Sequence, residues 1–111
     1  MSKVFITHEQ SRFDYSPAEA FGELTTVSER MYSFTPGNSV NSGIYKSIIE
    51  SAKEFDPLTD YVLPSGSAVI TSMFFVRLAA MGVRIIRLMV WNNNEGVYNI
   101  GTLDLSPLIG E

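Results

Sequence analysis

Apolar positions crowd together between Asp60 and Trp91, in the order short run, polar break, long run, glycine, second run: DYVLPSGSAVITSMFFVRLAAMGVRIIRLMVW. That order predicts a strand at Tyr61–Leu63, a turn at Pro64-Ser65-Gly66-Ser67, a helix at Ala68–Met81 closed by Gly82, and a parallel strand at Arg84–Trp91. The second strand scarcely alternates, which predicts a central strand covered on both faces. The helix is unusual because its only charge is Arg77. At 100° per residue, Ala68, Thr71, Ser72, Phe75 and Ala79 share one face. Ile70, Met73, Phe74, Arg77 and Met81 lie opposite. A helix covering one side of a sheet normally shows a broad polar stripe. Its absence predicts either burial on two sides or contact with another molecule, and marks Ile70, Met73, Phe74, Arg77 and Met81 as a candidate protein interface.

The flanking pattern adds layers to this unit. Lys3–Thr7 is β-rich and predicts a first strand. Ser16-Pro17-Ala18-Glu19 has the form of a capping box with proline at N1, predicting a short helix Pro17–Phe21 that Gly22 ends. Glu23–Val27 has strand character, and Met31–Thr35 alternates as if to extend or pair with it, before a turn at Pro36-Gly37-Asn38-Ser39. Ile44, Tyr45, Ile48, Ile49, Ala52 and Phe55 form one stripe, predicting a helix Ile44–Phe55 capped by Asn41 or Ser42 and laid on the sheet. Lys46 and Glu50 are spaced to pair on its outer face. Asn92-Asn93-Asn94-Glu95-Gly96 predicts a hairpin loop, with Val97–Leu105 returning antiparallel and Ser106–Glu111 as a tail. The expected fold is one α/β domain over residues 1–111, a mixed sheet with a βαβ crossover and a C-terminal β-hairpin, Rossmann-like but small. Phe5, Ile48, Val62, Ile70, Phe74, Ile86 and Leu88 are its expected core.

Composition narrows the function classes. The chain has 111 residues, 45 % hydrophobic, with a formal net charge of −4. The eight Lys and Arg are scattered, whereas a duplex DNA binder concentrates basic charge. There is no cysteine, which removes thiolate metal sites and thiol nucleophiles. No apolar segment follows a basic start, so no signal peptide is expected. Ala68–Met81 is too short to span a bilayer. A protein of the cytoplasm, with no membrane partner, is the expectation.

Catalytic chemistry finds little support. His8 is the only histidine, and beside a strand end it is expected to be solvated. No G-x-S-x-G elbow surrounds Ser65 or Ser67, and no carboxylates cluster. Asp56 and Asp60 flank a turn, where aspartate serves the backbone. Ser65, Gly66 and Ser67 sit where a strand hands over to a helix, a place where backbone N–H groups bind anions. This turn lacks the P-loop lysine and the further glycines of a dinucleotide fingerprint. A structural cap is the favoured role and a nucleotide or phosphoryl ligand the alternative. Phe13, Tyr15, Tyr32 and Phe34 lie near polar loops and could stack single-stranded bases, though without interleaved Lys or Arg. No catalytic residue, metal or cofactor is assigned.

Three segments, Tyr15–Leu24 (YSPAEAFGEL), Phe55–Gly66 (FDPLTDYVLPSG) and Leu88–Leu105 (LMVWNNNEGVYNIGTLDL), together resemble small α/β accessory proteins of tailed bacteriophages and prophages. Those share an aromatic-Ser-x-x-x-x-Phe-Gly-Glu-Leu opening, a Phe-Asp-Pro…Asp-Tyr strand leading to a glycine turn, and a Trp-bearing strand followed by a polar turn and a Tyr strand. This chain departs from the pattern at Ser67 and at Asn92-Asn93. The resemblance implies a phage accessory protein acting in the bacterial cytoplasm, and it supplies no activity and no catalytic residue. The expected mode of action is therefore non-enzymatic. The expected partner is a second copy in a homodimer, a host bacterial protein that it binds and inhibits, or both.

Overall fold

Strand β1, Lys3–His8, lies inside the sheet, paired on both sides, rather than on a flank. It is seen in a computed structural model that describes residues 1–111. Strand β2 (Glu23–Ser28) lies on one side of it and β3 (Tyr61–Leu63) on the other, followed by β4 (Ile85–Asn92) and β5 (Val97–Asp104), giving the order β2-β1-β3-β4-β5. The first four are mutually parallel and β5 is antiparallel to β4. Helices α1 (Val40–Glu54) and α2 (Ala68–Ala80) are the connections β2→β3 and β3→β4. The expected mixed α/β sheet with a parallel crossover and a terminal hairpin is what forms.

Both helices pack on one face. There Phe5, Val62 and Ile86 of the strands meet Ile44, Ile48 and Ala52 of α1 and Ile70, Phe74 and Leu78 of α2. At its centre Phe5 stacks on Phe74 at 6.0 Å and meets the edge of Phe55 at 5.4 Å. The opposite face carries only a 3-10 helix, Ser16–Ala20, over Val4, Ile6, Leu63 and Met89. Because β1 and β3 bury apolar residues at both parities, they are the strands covered on both faces. The sequence assigned that place to β4, which is covered only between Ile86 and Met89. Ile86 and Met89 are buried, Leu88 is half-buried, and Val90 and Trp91 are exposed. The other six expected core residues are buried.

Local polar contacts explain where the elements depart from expectation. Helix α1 starts at Val40, four residues early. Asn38 Oδ1 accepts from the Val40 N–H at 2.8 Å, while Asn41 serves the preceding loop instead of capping. Its amide accepts from Ser33 N at 2.8 Å and donates to Ser33 O at 2.6 Å. Those two bonds consume both backbone groups of Ser33, at the centre of the expected strand Met31–Thr35, and that segment is a loop. The capping box at Ser16 does not form either. The turn is 3-10, and the Ser16 N–H is held by Asp14 Oδ1 at 3.0 Å. The ion pairs are Lys3–Glu54 and Arg84–Glu111, not Lys46–Glu50. The tail contains one helical turn, α3 (Ser106–Ile109), tied back by the Arg84–Glu111 fork at 2.7 and 2.8 Å.

Buried Asp60 fastens three elements together. Its carboxylate accepts from Lys3 N at the start of β1 (2.9 Å), from Asp56 N after α1 (2.7 Å) and from the Thr59 hydroxyl (3.0 Å). That is the backbone role expected of an aspartate beside a turn. No helix is long and apolar enough to cross a membrane.

Candidate functional site

The strand order reverses direction between β1 and β3, and in open α/β sheets ligands favour the crevice beyond the carboxyl ends of such a pair. Ser65, Gly66 and Ser67 lie there, so the predicted turn is in the right place for a ligand. Its polar groups, however, are turned on the protein itself. Ser65 N donates to Thr7 Oγ1 at 3.0 Å, and the Ser65 hydroxyl meets Tyr15 OH at 2.7 Å. The Thr7 hydroxyl lies 2.8 Å from that of Thr71. The Ser67 N–H donates to His8 Nδ1 at 2.8 Å. Ser67 Oγ caps α2 by accepting from Ile70 N at 3.4 Å.

His8 is thus not solvated. Strand β1 runs one residue further than expected and carries His8 into the sheet, where it is 5 % exposed. Gly66 makes room for it. A Cβ at that position would stand 2.2 Å from His8 Nδ1 and 2.7 Å from His8 O, and Gly66 has φ +69°. Neither serine hydroxyl is bonded to His8, so no nucleophile–base pair exists. No group of three His, Asp or Glu gathers where a metal could bind. Ser67→Ala is expected to cost about 1 kcal/mol through the lost cap, measured by urea unfolding. An unchanged midpoint would remove the capping role.

The candidate interface residues on α2 divide between two environments. Ile70 and Phe74 are fully buried against the sheet and belong to the core, so they are not available to a partner. Met73 and Arg77 are half-buried and Met81 is exposed. The surface that α2 leaves open is instead the one carrying Val69, Ser72, Val76 and Ala80. With Tyr45, Ile48 and Ile49 of α1 it lines a groove of about 640 Å³ between the two helices. Eight of its ten lining residues are hydrophobic, and Val76 is 68 % exposed. Arg77 reaches into this groove, and its Nε is buried without a hydrogen-bond partner. The excess of apolar surface that the sequence shows on α2 is real. It faces along the helix pair rather than directly away from the sheet.

The four aromatics considered for base stacking are split between the two sheet faces. Phe13 packs on Tyr15, which belongs to the cluster under the 3-10 helix, at 5.9 Å. Tyr32 packs with the helix-side cluster and pairs with Phe34 at 5.2 Å and Tyr45 at 6.1 Å. A second, smaller cleft of about 320 Å³ near Phe13 and Tyr15 includes Trp91 and Tyr98, edge to face at 4.9 Å. Burial, with Tyr15 and Asp14 nearby, pushes the Tyr98 hydroxyl above the usual tyrosine range.

A family model described as phage Pam3 gp32-like protein matches residues 2–105. The chain belongs to that family, and the resemblance to small phage accessory proteins carried by Tyr15–Leu24, Phe55–Gly66 and Leu88–Leu105 is borne out. No curated protein and no solved structure matches the chain.

Proposed function

We propose that this phage-family chain is a binding protein rather than an enzyme, and that it inhibits a host bacterial protein in the cytoplasm by docking it in the α1/α2 groove. The observation that carries the reading is the groove itself. Soluble proteins seldom leave contiguous apolar surface open unless it binds something. A trough between two helices suits the apolar face of a third, the helix-in-groove mode. The occupant is a partner helix with an apolar stripe and one carboxylate. The stripe would cover Val69, Val76 and Ala80, and the carboxylate would pair with the guanidinium of Arg77, which lines the groove, as a charge-assisted hydrogen bond. Two features speak against the phosphoryl-ligand alternative at Ser65-Gly66-Ser67: the His8 ring holds the Ser67 N–H, and Gly66 lies against His8.

The test uses titration calorimetry with the purified host protein recovered on the wild-type chain. Val76→Asp places a charge on an exposed position of the groove without touching the core. It is expected to weaken binding by about 100-fold, and Arg77→Gln by about 10-fold, the cost of one lost charged contact. Circular dichroism and the unfolding midpoint should stay unchanged. Undiminished binding by both variants would refute the groove as the docking surface.

A further inference from the structure

Strand β5 ends the sheet with a row of backbone groups that nothing in the chain covers. Its register with β4 runs without interruption from Ile85↔Asp104 to Asn92↔Val97. Just beyond, Leu105 N donates to Arg84 O at 2.7 Å. Hydrogen-bonded pairs alternate along an antiparallel ladder. Leu103, Gly101, Asn99 and Val97 therefore turn their N–H and C=O groups toward β4, and Tyr98, Ile100, Thr102 and Asp104 turn theirs outward. Proteins protect such edges with charges, proline, bulges or a covering segment. Val97–Leu103 has no charged residue and no proline, its pairing has no bulge, and Ile100 is 44 % exposed.

We infer that two copies of this chain join edge to edge through β5, antiparallel about a two-fold axis at Gly101, into one continuous sheet. The strand is self-complementary about that residue. Tyr98 falls opposite Asp104 of the second copy and Ile100 opposite its Thr102, so every outward residue is paired, with about eight hydrogen bonds at two per pair. Gly101 then forms the central non-hydrogen-bonded pair, where Cα atoms approach to about 4.5 Å. Within one copy, a Cβ at Gly101 would meet nothing within 4 Å. The packing of a single chain does not call for glycine there, and at the axis glycine sets no side chain against its symmetry mate. Charge agrees as well. Asp104, the only charge on β5, would lie about 20 Å from its symmetry mate, six residues at about 3.3 Å each, beyond the screening length of roughly 10 Å. The inference is independent of the α1/α2 groove, which lies on a face of the sheet and not on its edge.

The experiment combines light scattering of the full chain, from micromolar to submillimolar concentration, with amide hydrogen exchange. The expected particle has twice the 12.3 kDa chain mass. In it the Tyr98, Ile100, Thr102 and Asp104 amides should exchange at least ~100-fold more slowly than in the dilute monomer. Thr102→Pro removes an outward N–H that β4 does not use, and Ile100→Lys adds a guarding charge. Each should return the mass to that of one chain while the Asn99 and Gly101 amides stay protected, which shows the strand still formed. A monomer at every concentration overturns the inference, as does a dimer that survives both variants. A dimer whose outward amides exchange fast, or which dissociates with Val76→Asp but not with Thr102→Pro, overturns it by placing self-association elsewhere. Outward amides protected only on adding a host protein overturn it in favour of a foreign strand.

Discussion

Phe74→Ala is expected to destabilise the fold by about 3–5 kcal/mol, the range for emptying a large buried aromatic site. Phe74 is wholly buried. It stacks on Phe5 at 6.0 Å and meets the Phe55 ring edge-on at 6.4 Å, so its loss opens a cavity between α2, β1 and the end of α1. Neither ring can collapse into the space without leaving the other. A domain of this size has about 5–15 kcal/mol in total, so the variant should unfold at a much lower urea concentration. Val76, two residues along the same helix, is its control. It points into the open groove, and Val76→Ala should cost less than about 0.5 kcal/mol, as at other surface sites. Equal losses at the two positions would mean that the helix is rotated from the orientation described.

Gly66→Ala is expected to cost about 3 kcal/mol. Placing an L side chain at positive φ costs about 1–2 kcal/mol. The added methyl would also stand 2.2 Å from the His8 ring and 2.7 Å from its carbonyl oxygen. Moving the ring away breaks the Ser67 N–H···Nδ1 bond, another ~1 kcal/mol. The double variant Gly66→Ala, His8→Ala should recover only part of the loss, because the carbonyl contact and the φ strain remain. Thermal unfolding of the two variants measures this. Full stability in Gly66→Ala would mean that the turn stands away from His8, with its N–H groups open to an anion after all.

Much of the fold was legible because its signals are local. Tyr61–Leu63 is bracketed by Pro57 and Pro64, and α2 is delimited by Ser67 and Gly82, so their bounds follow from turn and cap chemistry. The errors come from contacts distant in the chain or from patterns with no contrast. His8 and Ser67 bond across 59 residues, and nothing beside His8 announces that its ring will be enclosed. Asn41 looked like a cap because asparagine caps helices, yet its amide is spent on Ser33, eight residues back. Helix α2 is apolar around nearly its whole circumference, so its periodicity could say that one face lacks cover but not which one. Helical spacing therefore sets Ile70 and Phe74 on one face with Met73, Arg77 and Met81, although they belong to the core. Strand β4 misled for a related reason. An unbroken apolar run indicates burial on both faces only if both faces have layers over them, and beyond Met89 this sheet has neither helix.

Docking through the α1/α2 groove is open to photo-crosslinking, with a photoreactive phenylalanine analogue incorporated at Val76 in cells of the bacterial host. Glu19, exposed on the 3-10 helix of the opposite face, carries the same probe as the control. Light should join position 76 to one discrete host polypeptide, and the adduct should weaken when Arg77→Gln is added and vanish when Ala80→Asp is added. No adduct at position 76, or the same set of adducts from position 19, would mean that the groove is not where the chain docks.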